Sequence, residues 1–108
     1  MKINQGSDLL AEKLYDNITV GQIGSGSTTP TANDTGLETA IVSSDLTLVK
    51  VLTGNAVINT YTSDPSLTGT VSEYITTISG SAISHDVFTN IIMDANKELI
   101  IEETFFIN

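Results

Sequence analysis

The sequence predicts a mainly β fold: a compact, antiparallel, β-sandwich-like domain with one or two short helices. Three observations predict it. Thr, Ser, Ile, Val, Gly and Asn dominate while Ala and the long helix formers are scarce, a mix that suits pleated, half-buried surfaces. Short apolar runs alternate with polar residues, the period of a strand. Turn-forming residues separate these runs at Thr53 to Asn55, Ser63 to Ser66, Gly80 and Asp94 to Lys97. A chain of 108 residues is one domain by length and buries roughly two-thirds of its unfolded surface. Residues 1–17 read as an N-terminal helical segment and 18–108 as the β domain.

Ser7 to Asp16 reads as a helix. Ser7 or Asp8 can cap it, and Leu9 or Leu10 with Lys13 and Leu14 supplies an i, i+4 stripe. Asn17 to Ile23 follows as a strand that runs into Gly24 and Gly26. A Gly-rich loop after a strand invites a phosphate-binding reading, but the Lys and Ser/Thr pair of a P-loop and the GxGxxG spacing are both missing. The glycines read instead as a turn needing positive φ. Residues 24–41 read as a crossing loop shaped by Gly24, Gly26 and Pro30 that ends in a plug helix. Thr35 and Glu38 have capping-box spacing, and Leu37 and Ile41, four apart, anchor one face in the core.

Asp45 to Thr53 is a strand apolar on both faces, so it is expected to be central or covered. It turns at Gly54 and Asn55 into a returning strand, Ala56 to Thr62. The loop around Pro65 follows, then strands over Thr70 to Ile78 and Ala82 to Met93. Val71, Glu73, Ile75 and Thr77 share one side of the first of these two. Asp94 to Lys97 has the chemistry of a hairpin loop leading into Glu98 to Ile107. That closing strand carries Leu99, Ile101, Phe105 and Ile107 on one face and Ile100 and Phe106 on the other. A strand apolar on both sides must be covered on both. A neighbouring subunit is the expected cover, with Leu10, Leu14, Ile100, Phe105 and Phe106 as candidate interface residues.

No catalytic, cofactor or metal site is expected. The chain has no Cys, which removes thiolate chemistry and disulfides. Ser84, His85 and Asp86 are the residue types of a hydrolase triad, but successive strand residues point to opposite faces, so the imidazole cannot lie between its partners. His85 reads as a surface or interface residue. Asp94 to Glu98 opens like a calcium loop, yet Leu99 and Phe105 stand where an EF-hand needs Gly and Glu. Glu102 and Glu103 fall on opposite faces and so are not an acid and base pair. Thirteen acidic against four basic residues, a net charge of −9, repel phosphate backbones and anionic bilayers, so neither nucleic acid nor membrane is an expected partner. The N-terminus has no apolar run of the kind a signal peptide carries.

The order of the segments resembles a family. Gly24, Gly26, Thr29, Pro30, Thr31, Ala32, Thr35 and Leu37, with Glu38 beside Leu37, follow a G-x-G, TPTA, T-x-L-x-x-E/A segment. Val71 to Ile75, Ile83 to Phe88 and Lys97 to Ile101 echo the strands that follow it. In these respects the chain is similar to small structural proteins of tailed bacteriophages and to the N-terminal module of phage tail-collar fibre proteins. The resemblance implies a non-enzymatic virion subunit of tail, collar, baseplate or capsid decoration. Such a subunit is made in the host cytoplasm and works by homo-oligomeric assembly and by docking onto other virion proteins. With no fibre shaft following Asn108, a free-standing subunit is the expectation. A surface-displayed carbohydrate- or receptor-binding module is the alternative, although without Trp it would have only Tyr15, Tyr61 and Tyr74 as stacking platforms.

Overall fold

A computed structural model describes residues 4–107, so residues 1–3 of the expected helical segment and Asn108 lie outside the described residues. One helix, α1 (Asn4–Asn17), precedes six strands: β1 (Val20–Gly24), β2 (Ala40–Thr53), β3 (Ala56–Thr62), β4 (Gly69–Ile78), β5 (Ser81–Met93) and β6 (Ile100–Phe106). All pair antiparallel in one sheet of order β5-β4-β1-β2-β3-β6. The mainly β, antiparallel class is as expected. The layered form arises because one sheet curls over itself.

Strand β2 is the bend. Its first half pairs with β1, from Ala40 opposite Gly24 to Leu46 opposite Gly21, and its second half pairs with β3, from Thr47 opposite Thr62 to Thr53 opposite Ala56. Register shifts that leave extra residues on β2 opposite β1 and on β5 opposite β4 add local twist. The two halves then face each other: the Tyr61 hydroxyl on β3 lies 2.8 Å from Thr76 Oγ1 on β4. Between them lies a core of Ile23, Leu46, Tyr61, Leu67, Val71, Tyr74, Met93 and Leu99. Gly21 is dictated by this closure, because a Cβ there would stand 2.6 Å from the Tyr61 ring.

Helix α1 closes one end of the curl. Ala11 and Ile18 pack on Val57, with Leu14, Tyr15 and Phe105 around them. The buried spacing is Ser7, Ala11, Leu14 and Ile18 rather than the expected stripe through Leu9 or Leu10, both of which face solvent. Leu14 and Phe105, expected at an interface, are half-buried and pack against this cluster. The Lys50 ammonium on β2 donates to the carbonyls of Tyr15 (2.6 Å) and Ile18 (3.0 Å) and so satisfies acceptors at and just past the helix end.

Two expectations are corrected. The Asp94 to Lys97 turn forms, with Lys97 N–H donating to the Asp94 carbonyl, but it does not make a β5–β6 hairpin. Instead Ser63 N–H bonds the Leu99 carbonyl and Leu99 N–H bonds Ser63 Oγ. These bonds steer the chain onto β3, where Ile100 pairs with Thr62 and Phe106 with Ala56. The plug helix over 34–41 is absent as well. Residues 25–39 form an irregular strap, and β2 begins at Ala40.

Candidate functional site

The strap lies over the outer face of β4 and β5, and one side chain holds it there. Glu73, on β4, is fully buried. Its Oε2 accepts N–H bonds from Gly26 (2.5 Å) and Thr39 (2.9 Å), and its Oε1 accepts the Glu38 N–H (2.8 Å). The strap is fixed further where Ser72 Oγ donates to the Gly26 carbonyl and Ser25 N–H to the Thr39 carbonyl. This explains why the capping box of Thr35 and Glu38 does not form. The Glu38 and Thr39 amides, which a helix start would leave for capping, are taken by a carboxylate from a distant strand.

It also revises the role of the glycines. Neither Gly24 nor Gly26 has positive φ; the positive-φ glycines are Gly54, Gly69 and Gly80. A Cβ at Gly26 would collide with the Glu73 carboxylate, and one at Gly24 with the Thr39 carbonyl. Close approach, not turn conformation, requires them. Of the remaining expected anchors, Ile41 packs on the core and Leu37 and Pro30 are half-buried, while the Thr35 and Glu38 side chains face solvent.

His85, on β5, completes the cluster. Its Nε2 lies 2.8 Å from Glu73 Oε1 and its Nδ1 2.7 Å from Asp34 Oδ2 on the strap. The imidazole side chain is only 9% exposed, so it is not the surface residue that alternation suggests. Ser84 is not its partner, since Ser84 Oγ bonds Glu103 instead. With a carboxylate at each nitrogen, the ring is favoured as imidazolium, donating from both. Burial pulls the His85 value down, but its bonds to Asp34 and Glu73 and their charges outweigh that and hold it above the ordinary imidazole range. Burial likewise pushes the Glu73 carboxyl up. The Thr39 and Glu38 N–H groups, His85 and the Gly26 N–H outweigh it, so the group stays below the usual carboxylate range. Asp34 is lowered by its bond to His85 and then by the Thr31 amide.

Such a ring has no free lone pair with which to take a proton from a substrate; its chemistry is that of a clamp. The three side chains do not converge on a point either, because the ring stands between the carboxylates. Among the described residues no cluster of His, Asp and Glu is placed to hold a metal ion.

A second carboxylate lies against the inner face of β4. Glu103, on β6, accepts hydroxyl bonds from Tyr74 (2.8 Å), Ser84 (3.0 Å) and Thr76. This network ties the two edge strands of the sheet across its interior. Burial, with the Thr76 bond opposing it and the Glu103 charge adding to it, pushes the Tyr61 phenol up to about 12. Tyr61 and Tyr74 are both buried, which leaves only half-buried Tyr15 of the three expected stacking platforms.

Among the described residues nothing covers the outer face of β2, β3 and β6. Its cross-strand rows are Thr47, Thr62, Ile100; Val49, Thr60, Glu102; Val51, Ile58, Thr104; and Thr53, Ala56, Phe106. Val49, Val51, Ile100 and Phe106 are 60, 48, 59 and 66% exposed, and Glu102 is the one charge in the four rows. No helix among the described residues is long and apolar enough to cross a membrane. No family model, curated protein or solved structure matches the chain.

Proposed function

We propose that the chain is a non-enzymatic structural subunit that works by assembling with copies of itself, and that its setting is the virion of a tailed bacteriophage. The observation that carries the assembly reading is the uncovered β2, β3 and β6 face. On a chain of net charge −9, a face with a single carboxylate is where two copies can approach with least repulsion. Exposed Val49 and Val51 lie along β2 and exposed Ile100 and Phe106 at the two ends of β6, interleaved with Thr, so the face offers apolar contacts among hydroxyl groups that a partner can satisfy. Three strands of seven residues make a footprint of about 14 by 24 Å, or roughly 340 Å². That is below the roughly 800 Å² per partner of a stable pairwise interface, so this contact acts in repetition, as in a ring or lattice. The phage setting rests on the segment resemblance alone. With Tyr61 and Tyr74 in the core, the carbohydrate-binding alternative has only half-buried Tyr15 and the single exposed Phe106 to stack on, and it ranks second.

Native mass by light scattering at several concentrations tests the assembly. The expected result is a discrete oligomer that Phe106→Lys or Val49→Lys converts to monomer with unchanged circular dichroism. A monomer at every concentration overturns self-assembly. Immunogold labelling of purified tailed particles tests the setting, and particles free of the chain overturn it.

A further inference from the structure

We infer that the Asp34, His85 and Glu73 bridge is a proton-operated latch: the strap is held at both its base and its tip while the imidazole carries two protons, and the tip lets go when the ring loses one. The base is fixed independently. Gly26, Glu38 and Thr39 are tied to Glu73, and Gly26 also to Ser72. The tip is not. Among the hydrogen bonds of the described residues, those within 27–37 stay local, such as the Thr31 amide and hydroxyl to the Asp34 carboxylate. Of these bonds, only the one between Asp34 and His85 joins residues 27–37 to the sheet.

Which bond fails is decided by burial. A neutral ring has one N–H to give. Glu73 is inaccessible to water, whereas the Asp34 side chain is 29% exposed and can be rehydrated. The remaining proton therefore stays on Nε2, where it serves the carboxylate that has no solvent. The Nδ1 lone pair then faces Asp34 Oδ2, and that contact turns repulsive.

The surroundings sharpen the response. Against the ring lie Glu73 from β4 and Asp34 from the strap, while Glu38 lines the cleft beside it and Asp86 is its neighbour on β5. The clefts on either side, of about 350 and 190 Å³, are lined by no Lys or Arg. The imidazolium is thus the one positive charge in an acidic neighbourhood. Because the His85 value is raised on folding, its contribution is complete below the ordinary imidazole range and is lost as pH rises through the folded value. Asp34 and Glu73 are lowered, so their contributions are lost as pH falls through their folded values. The latch is shut between those limits.

His85 is the chain's single histidine, so NMR of the imidazole carbons across a pH titration of the full chain reads the ring directly, and amide exchange reads the strap. The expected midpoint lies above the ordinary value of about 6.5. As pH passes it, the amide signals of residues 31–36 shift with the same midpoint as the ring, because the Asp34 carboxylate leaves Nδ1. The Gly26, Glu38 and Thr39 amides keep their protection. Asp34→Asn, at a partly exposed position, lowers the midpoint and removes the step at the tip. A midpoint at or below 6.5, a tip without a step at the His85 midpoint, or base and tip loosening together would each overturn the latch.

Discussion

Glu73 and Glu103 are two carboxylates on opposite faces of β4, and they organise the molecule in different ways. Glu73 is bound by three backbone N–H groups and an imidazole. Glu103 is bound by three side-chain hydroxyls. Backbone N–H groups can only donate, and their directions are fixed by the chain. Hydroxyls rotate, and each can donate or accept. The outer-face carboxylate therefore dictates the path of a segment, while the inner-face one adapts to groups already in place. Glu73 is also fully buried and Glu103 only half-buried, so water can repair the second site and not the first.

The largest effect is expected where donors cannot turn. Glu73→Gln keeps the shape but aims an NH₂ at the N–H groups that Glu73 Oε1 or Oε2 now accepts. The cost combines a buried unsatisfied amide with lost charge-assisted bonds, about 3 kcal/mol. Urea unfolding of the variant should show the midpoint shift. The strap's amide signals, residues 25–39, should move most.

A smaller loss separates the two sites. Glu103→Gln should cost about 1 kcal/mol, because Tyr74, Thr76 or Ser84 can rotate to accept from the new NH₂. It should also lower the alkaline titration of Tyr61 from its raised position, since the Glu103 charge is one of the influences holding it up. Absorbance titration of the tyrosines reads this. Equal losses for the two Glu→Gln changes would break the comparison, since donor type and burial would then not decide the cost.

The same contrast marks what the sequence makes legible. Strands β3, β4 and β5 fall within a residue of their expected bounds, because alternation and turn residues at Gly54, Asn55 and Gly80 are local signals. The β3–β6 pairing is not legible, since the turn at Asp94 is real but the choice of partner rests on Ser63 and Leu99, far apart in the chain. The strap has the sequence of a helix start and is illegible for a similar reason. Its capping pattern is sound locally and is overridden by a carboxylate 35 residues further along. One signal was available. Glu73 shares a side with Val71, Ile75 and Thr77, and an acid on the covered side of a strand needs partners. Its partners are main-chain amides, which leave no mark in a sequence.

Lys50 offers the mildest test, of whether a charge facing backbone groups matters as much where solvent can reach. It is the cationic counterpart of Glu73: its ammonium meets the carbonyls of Tyr15 and Ile18 and lies 5.0 Å from the Tyr15 ring centre. Unlike Glu73 it is only half-buried, so water can reach those carbonyls once the ammonium is gone. Lys50→Met keeps the aliphatic stem against the helix and removes the charge. The expected loss is about 0.5–1 kcal/mol, the size of a cation's interaction with a helix C-terminus. In a domain of this length that is a fall in Tm of roughly 4 °C. Hydrogen exchange should place the change in the last turn of α1, with Ala11 still protected because its packing on Val57 is untouched. A loss as large as that of Glu73→Gln, or release of the whole helix, would mean that the charge rather than the apolar contact docks α1, and that solvent access does not separate the two sites.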